Sequence, residues 1–262
     1  MIGLRYLEHL GPGDIAFLEA AAGRPLRPDT IRAALSAEPV YEALFGPGSI
    51  PAPVRVSPFL VFAVLIERVA LQLQTAAFVE EWLGPGRTLP VFDVQGLRDF
   101  VAVDGNRLFL AELLASYTHV ASGSTWRRTP RGWRRTRYSE LDPVRLAELV
   151  EALPAAERPG VLRRLGDVGL FLSGIFPERV SRHPLQPREL HRVGALLGGL
   201  PDELALAGAG GMAQLEWLGR RAYRLAALPD RDAGFGPARR VLNVLAGRHL
   251  SGQRSNWFGA EG

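Results

Sequence analysis

Apolar positions along this chain recur at helical spacing in most places where they recur at all. Phe59, Phe62, Ala63, Ile66, Val69 and Leu73 line one stripe of a 3.6-residue period, which predicts a long amphipathic helix. Ser57-Pro58 opens it: a serine hydroxyl accepts an orphan backbone N–H, and proline loses nothing at a first helical position. The pattern carries the helix to Leu83, where Gly84-Pro85-Gly86 predicts its stop. Leu108, Phe109, Leu113, Leu114 and Tyr117 predict another helix over 107–120, after a tight turn at Asp104-Gly105. Shorter helices are expected over 15–22, 30–35, 40–45 and 94–101, with Asp14, Asp29, Pro39 and Asp93 as their start signals.

Beyond residue 140 the same period returns. Asp142-Pro143 opens a helix to Leu153, and 155–176 reads as a long helix that tolerates Pro159 only in its first turn. Further helices are expected over 191–197, 212–228 and 237–250, with a frayed tail from Ser251. Gly-Pro-Gly at 11–13, 46–48 and 84–86 has flanks that do not match, so it marks three separate helix stops and not a repeat.

One segment breaks the helical rule. Thr125-Trp126-Arg127-Arg128-Thr129 and Trp133-Arg134-Arg135-Thr136-Arg137-Tyr138 flank Pro130-Arg131-Gly132, and alternation around a Pro/Gly turn predicts a β-hairpin over 124–138. Alternate strand residues share a face. Trp126 and Arg128 therefore fall on one side of their strand, and Trp133, Arg135 and Arg137 share a side of theirs.

Composition sharpens this picture. All 31 basic residues are arginine, which GC-rich codon usage explains without reference to function. Their placement is informative: Arg127, Arg128, Arg131, Arg134, Arg135 and Arg137 fall within eleven residues that hold no acid, while the remaining 25 arginines face 27 acids. The whole +4 excess thus comes from the hairpin. The absence of cysteine excludes a disulfide framework, a thiolate metal site and a cysteine nucleophile. No secretory signal is read at the start of the chain, and a cytoplasmic location is expected. The apolar run 58–79 carries Glu67 and Arg68 at its centre, so a buried core helix is expected there and not a membrane span.

Candidate chemistry is sparse. His9, His119, His183, His191 and His249 show no metal-ligand spacing, and no metal is assigned. Ser122-Gly123-Ser124 near His119 reads as a surface turn, not a nucleophile. Gly208-Ala209-Gly210-Gly211-Met212-Ala213 matches a phosphate-cradling pattern before a helix but lacks the βαβ context of a dinucleotide fold, so no cofactor is assigned. Asp167, one turn after Arg163 in an otherwise apolar run, needs a partner if buried. Gly166, Gly169 and Ser173 beside it predict a close helix–helix approach, with Asp167 and Tyr223 as a possible ligand pocket and Glu216 and His191 as further polar candidates.

Ser57-Pro58-Phe59-Leu60-Val61-Phe62 and Arg164-Leu165-Gly166-Asp167-Val168-Gly169-Leu170-Phe171-Leu172-Ser173-Gly174-Ile175-Phe176-Pro177 resemble an uncharacterised helical protein family of GC-rich bacteria. That resemblance implies a helical fold and a bacterial cytosolic setting and carries no activity or site residue with it.

The expectation is therefore a mainly α, multi-helix globule of one domain over 1–262, with 1–50 as an N-terminal helical cap and 124–138 as an inserted hairpin. No catalytic residue is assigned. The expected function is interaction with a protein partner, or with a second copy of the chain, through Trp126, Arg127, Arg128, Arg131, Trp133, Arg134, Arg135 and Arg137. Two alternatives stand beside it: nucleic-acid binding through the same arginines, and an enzyme or small-ligand binder with an inter-helix pocket near Asp167.

Overall fold

A computed structural model describes residues 2–47, 56–84, 87–118, 122–129, 132–139, 141–199, 208, 210–252 and 254–259; the 122–139 strands are described by backbone path and register. Among these residues the protein is mainly α, with fifteen helices and two small two-stranded sheets. The residues group into two compact units: one comprises 1–81, 89–118 and 240–257, the other 82–88, 119–239 and 258–262.

The first unit is organised by helix Pro58–Thr75, of whose 18 residues twelve are buried. A helix buried on nearly every side reads as almost uniformly apolar, and this one has the length and hydropathy of a membrane span. Its burial against helices Asp104–Ser116, Gln95–Ala102 and Glu38–Phe45 makes it the core helix of this unit. Ser57 caps it as expected, its hydroxyl accepting from the Leu60 N–H at 3.2 Å. Asp14, expected as the N-cap of a helix over 15–22, instead lies inside its helix, whose N-cap is Gly11. It lies buried in the first turn of helix Pro12–Ala22, where Oδ2 accepts from the Gly11 N–H at 2.9 Å. Its Oδ1 accepts from the Ser57 N–H at 2.7 Å, so one carboxylate secures the starts of two helices. The N-terminal helices, read as a 1–50 cap, belong to this unit.

Four further expectations need correction. The core helix ends at Thr75 and not at Leu83, because its last carbonyls find a side-chain partner: Arg98 donates from Nε to the Leu73 carbonyl and from Nη2 to the Ala76 carbonyl, each at 2.9 Å. Released from the helix, Val79–Gly84 pairs with Arg87–Val91 as a two-stranded sheet. Asp104-Gly105 is the first turn of helix Asp104–Ser116, not a turn before it. The tail is ordered by burial: helix Arg254–Phe258 places Trp257 edge-on to Phe62 with ring centroids 5.3 Å apart. The first Gly-Pro-Gly also differs from expectation, since Gly11 precedes a helix that Pro12 opens.

In the second unit helices Arg158–Ile175 and Gly210–Leu225 form the central pair, flanked by Pro143–Ala152 and Pro187–Leu196. Pro159 falls in the first turn, where it is tolerated, and Asp142 caps the Pro143 helix by accepting from the N–H groups of Val144 and Arg145 at 3.0 and 3.2 Å. Ala147, Val150, Leu162, Leu165, Val193, Leu197, Leu218 and Ala222 form a contiguous core. The small-residue seam is real. A Cβ on Gly166 would stand 2.5 Å from the Tyr223 ring, and one on Gly169 would stand 3.0 Å from the Leu215 carbonyl oxygen. Ser173 keeps its hydroxyl within its own helix, donating to the Gly169 carbonyl at 2.6 Å. Phe171 and Phe258 meet edge-on in this unit at 5.0 Å.

Candidate functional site

The hairpin forms as the Pro/Gly turn and alternation predict, with strand Ser122–Thr129 antiparallel to Gly132–Ser139. Its register adds what the individual strands could not: Trp126 is opposite Arg135, Arg128 opposite Trp133, and Ser124 opposite Arg137. Directly opposed residues share a face, with Cβ atoms about 5 Å apart. Both tryptophans and Arg128, Arg135 and Arg137 therefore occupy one face, as a checkerboard in which each tryptophan position lies across from an arginine position. Arg127 and Arg134 are paired on the other face, between Thr125–Thr136 and Thr129–Gly132. Like charges opposed across a ladder are unfavourable. Arg131, the remaining member of the expected cluster, lies outside the described residues.

Asp167 and Tyr223 are brought together. Tyr223 is fully buried and donates from Oη to Asp167 Oδ1 at 2.7 Å, while the Arg163 guanidinium lies 3.9 Å from Oδ2, one helical turn away. Burial pushes the Asp167 carboxyl above the ordinary carboxylate range; the Tyr223 hydrogen bond, and then Arg163, Arg231 and Arg164, pull it back. Glu216 is not part of this pair: it sits between Arg220 at 3.8 Å and Arg239 at 3.6 Å. His191 is exposed on helix Pro187–Leu196.

Sequence reasoning missed two constellations. In the first unit, Glu67 and Arg107 form a buried ion pair, Arg107 Nε lying 2.8 Å from Glu67 Oε1. Arg107 also donates to Asp104 and to the Val101 carbonyl. Arg32 closes the network, 3.7 Å from Glu67 and 3.2 Å from Asp104. Two guanidinium groups thus face two carboxylates. Burial raises the Glu67 carboxyl above its ordinary range, and Arg107 and then Arg32 oppose that. The available signal was a charged residue inside an apolar run, which demands a buried counter-charge somewhere else in the chain.

In the second unit a cavity of about 320 Å³ is lined by residues of both helices of the central pair, Leu172 from one and Gly211 and Leu215 from the other. Its lining includes the buried Leu172, Val180 and Leu215 together with Asp142 and the exposed Arg179 and His183. Gly211, from the glycine-rich run, lines it too: its helix approaches so closely that a Cβ there would lie 2.2 Å from the Val180 carbonyl oxygen. A second depression, lined by Arg145, Arg188, Arg192, Asp142, Glu148 and Glu189, balances three positive side chains with three negative ones. Arg145 and Arg192 both reach Glu148, at 3.4 and 3.0 Å.

Among the described residues no group of three or more His, Asp or Glu side chains is arranged to hold a metal ion. His9 is engaged with Glu112 at 3.0 Å, and His249 bridges Tyr41 and Gln72, each at 3.3 Å. Comparison with protein-family models, with curated proteins and with solved structures finds no match for this chain.

Proposed function

We propose that this chain is a non-catalytic interaction protein that docks an acidic segment of a partner protein on the Trp/Arg face of its hairpin. The observation that carries the reading is the register. It joins Trp126, Arg128, Trp133, Arg135 and Arg137, scattered over twelve positions in sequence, into one contiguous strand face. Tryptophan and arginine are the residue types that dominate interface energetics, because both combine large contact area with directional polar groups. Arginine forks bind carboxylates bidentately. The hairpin strands contain no acid, so cross-strand neighbours supply no counter-charge. An external carboxylate-rich surface would supply it.

The test is a fluorescence-anisotropy titration of the full chain with two labelled probes: a 20-residue peptide alternating Glu or Asp with Leu or Phe, and a random single-stranded 20-mer oligonucleotide. The proposal expects the peptide to bind with an affinity that persists in part at 150 mM salt, because tryptophan burial does not screen. Tighter binding of the oligonucleotide, with steep loss on adding salt, would replace it with the nucleic-acid reading. Salt-dependent dimerisation of the chain without any probe would make a second copy the partner. Binding of neither probe by a monomeric chain would overturn it.

A further inference from the structure

We propose that His249 is a proton-operated latch: neutral, it fastens the segment 249–257 to helices Glu38–Phe45 and Pro58–Thr75, and protonated, it releases that segment from the core. This goes beyond the hairpin reading and does not depend on it. His249 follows the last turn of helix Phe235–Arg248, its N–H donating to the Leu245 carbonyl at 2.9 Å. Beyond it the buried Leu250 and Trp257 anchor the segment, the latter edge-on to Phe62. Gly252, at φ +79°, turns the chain between those two anchors. The half-buried imidazole is the polar part of the anchorage, and its two nitrogens are committed to two different helices.

The hydrogen bonds require the neutral ring. Gln72 Oε1, 3.3 Å from Nε2, can only accept, so Nε2 carries the proton. In a neutral imidazole Nδ1 is then an acceptor, and the Tyr41 hydroxyl donates to it across 3.3 Å. The two rings meet edge-on, with centroids 6.1 Å apart. A proton added at Nδ1 turns that acceptor into a donor and sets N–H against O–H. The Tyr41 hydroxyl must then rotate to accept, and its own proton gives up the acceptor it had.

The surroundings also oppose the added charge. Arg68, one helical turn before Gln72, stands over the Tyr41 ring with its guanidinium carbon 4.4 Å from the centroid, and Arg248 precedes His249 in the chain. Both are positive and both disfavour a further cation here. Glu38, on the Tyr41 helix, is bound to Arg68 through both carboxylate oxygens. Glu42, the other acid of that helix, is exposed and folds onto Gly46, with Oε2 2.6 Å from where a Gly46 Cβ would stand. Glu67 of the core helix faces Arg107, and Arg254, from the latched segment, adds a cation that reaches back to the Ala246 carbonyl. Among the described residues no carboxylate forms an ion pair with His249. Burial, then Arg68 and Arg248, hold the imidazole below its ordinary 6.5. The latched ring therefore binds a proton less readily than the released one, and release takes up a proton. The latch is fully closed above about 6.5 and weakens as pH falls from there through the lowered native value.

The experiment is hydrogen exchange of the full chain, read by mass spectrometry at about pH 7.5 and about pH 5.0 and corrected for the intrinsic pH dependence of exchange, on the parent, H249Q and R68Q. Protection of the 250–257 amides should fall at least about fivefold in the parent at the lower pH, because an opening that takes up one proton gains up to about tenfold per pH unit. H249Q keeps a polar side chain that does not titrate, and its protection should not change with pH. R68Q removes one of the two facing charges and should show a smaller fall than the parent. Amides of the first turns of the core helix should stay protected throughout. A proton-resonance titration of the parent should give the imidazole signal that H249Q lacks a midpoint below 6.5. Protection unchanged by acid in the parent, an equal fall in H249Q, an undiminished fall in R68Q, or equal loss in the core helix would overturn the latch. So would a His249 midpoint at or above its ordinary value.

Discussion

Replacing Arg107 with methionine tests whether the buried charge network of the first unit is held by pairing and not by packing. Methionine keeps the length and apolar bulk of the arginine stem and removes only the guanidinium. In the parent chain the two side chains are 2% and 3% exposed, with Nε 2.8 Å from Oε1. In R107M the remaining cation near Glu67 is Arg32, 3.7 Å away with a side chain 54% exposed, so its field is largely screened by water. Breaking a buried pair on one side typically costs about 3–5 kcal/mol, because the surviving charge is left uncompensated. The double variant E67M/R107M removes both charges and leaves the Val101 carbonyl without its donor, a loss of about 1–3 kcal/mol. It should still be at least about 2 kcal/mol more stable than R107M alone, since a matched apolar pair is often neutral relative to the ion pair.

The pH dependence has a definite sign. Burial raises the Glu67 carboxyl above its ordinary 4.5, so the native state holds that proton more tightly than the unfolded chain. Stability from this group is fully present below the unfolded value and is lost as pH rises through the raised native one. R107M removes the strongest opposing charge and pushes that native value further up. The deficit of R107M should therefore widen as pH rises from about 4.5 towards neutrality. Urea unfolding followed by circular dichroism, with hydrogen exchange on the 58–75 amides to isolate the first unit, gives the numbers. Additive losses in the double variant, or a deficit independent of pH, would refute the reasoning.

Three other substitutions test separate features. Y223F removes the donor to Asp167 Oδ1 and should cost about 1–3 kcal/mol in urea unfolding. That loss should grow with rising pH, because it lifts an already raised carboxyl further. G166A drives a Cβ to within 2.5 Å of the buried Tyr223 ring, and Tm should fall by the equivalent of about 1–3 kcal/mol; an unchanged Tm would mean the helices have room to part. R98M strips the Leu73 and Ala76 carbonyls of their donors, and amide exchange should accelerate in the last turn of the core helix while its first turn stays protected.

Legibility in the sequence followed the range of the interactions involved. Ser57, Asp142 and the first-turn Pro159 act within four residues of themselves, and each marks a helix start where local chemistry places it. The end of the core helix was not legible, because the group that caps it, Arg98, lies more than twenty residues downstream and nothing local announces it. The same applies to Glu67, whose partner is forty positions away. Gly166 and Gly169 revealed a close approach but not that a tyrosine ring and a helix backbone fill it. At the hairpin, alternation placed residues on the two sides of each strand. Which side of one strand matches which side of the other depends on register alone, and register joined the two tryptophans on one face. The cavity residues Arg179 and His183 stand close in sequence, yet that Gly211 lines the same cavity is a tertiary fact.

The most direct test of the hairpin face holds charge constant and changes only geometry. R128S/R135S and R127S/R134S each remove two positive charges, the first from the tryptophan-bearing face and the second from the opposite one. Measured by anisotropy with the acidic peptide, the first should weaken binding at least about tenfold and the second by less than about threefold. Equal losses in the two variants would show that net charge alone governs binding and would contradict a face-specific site.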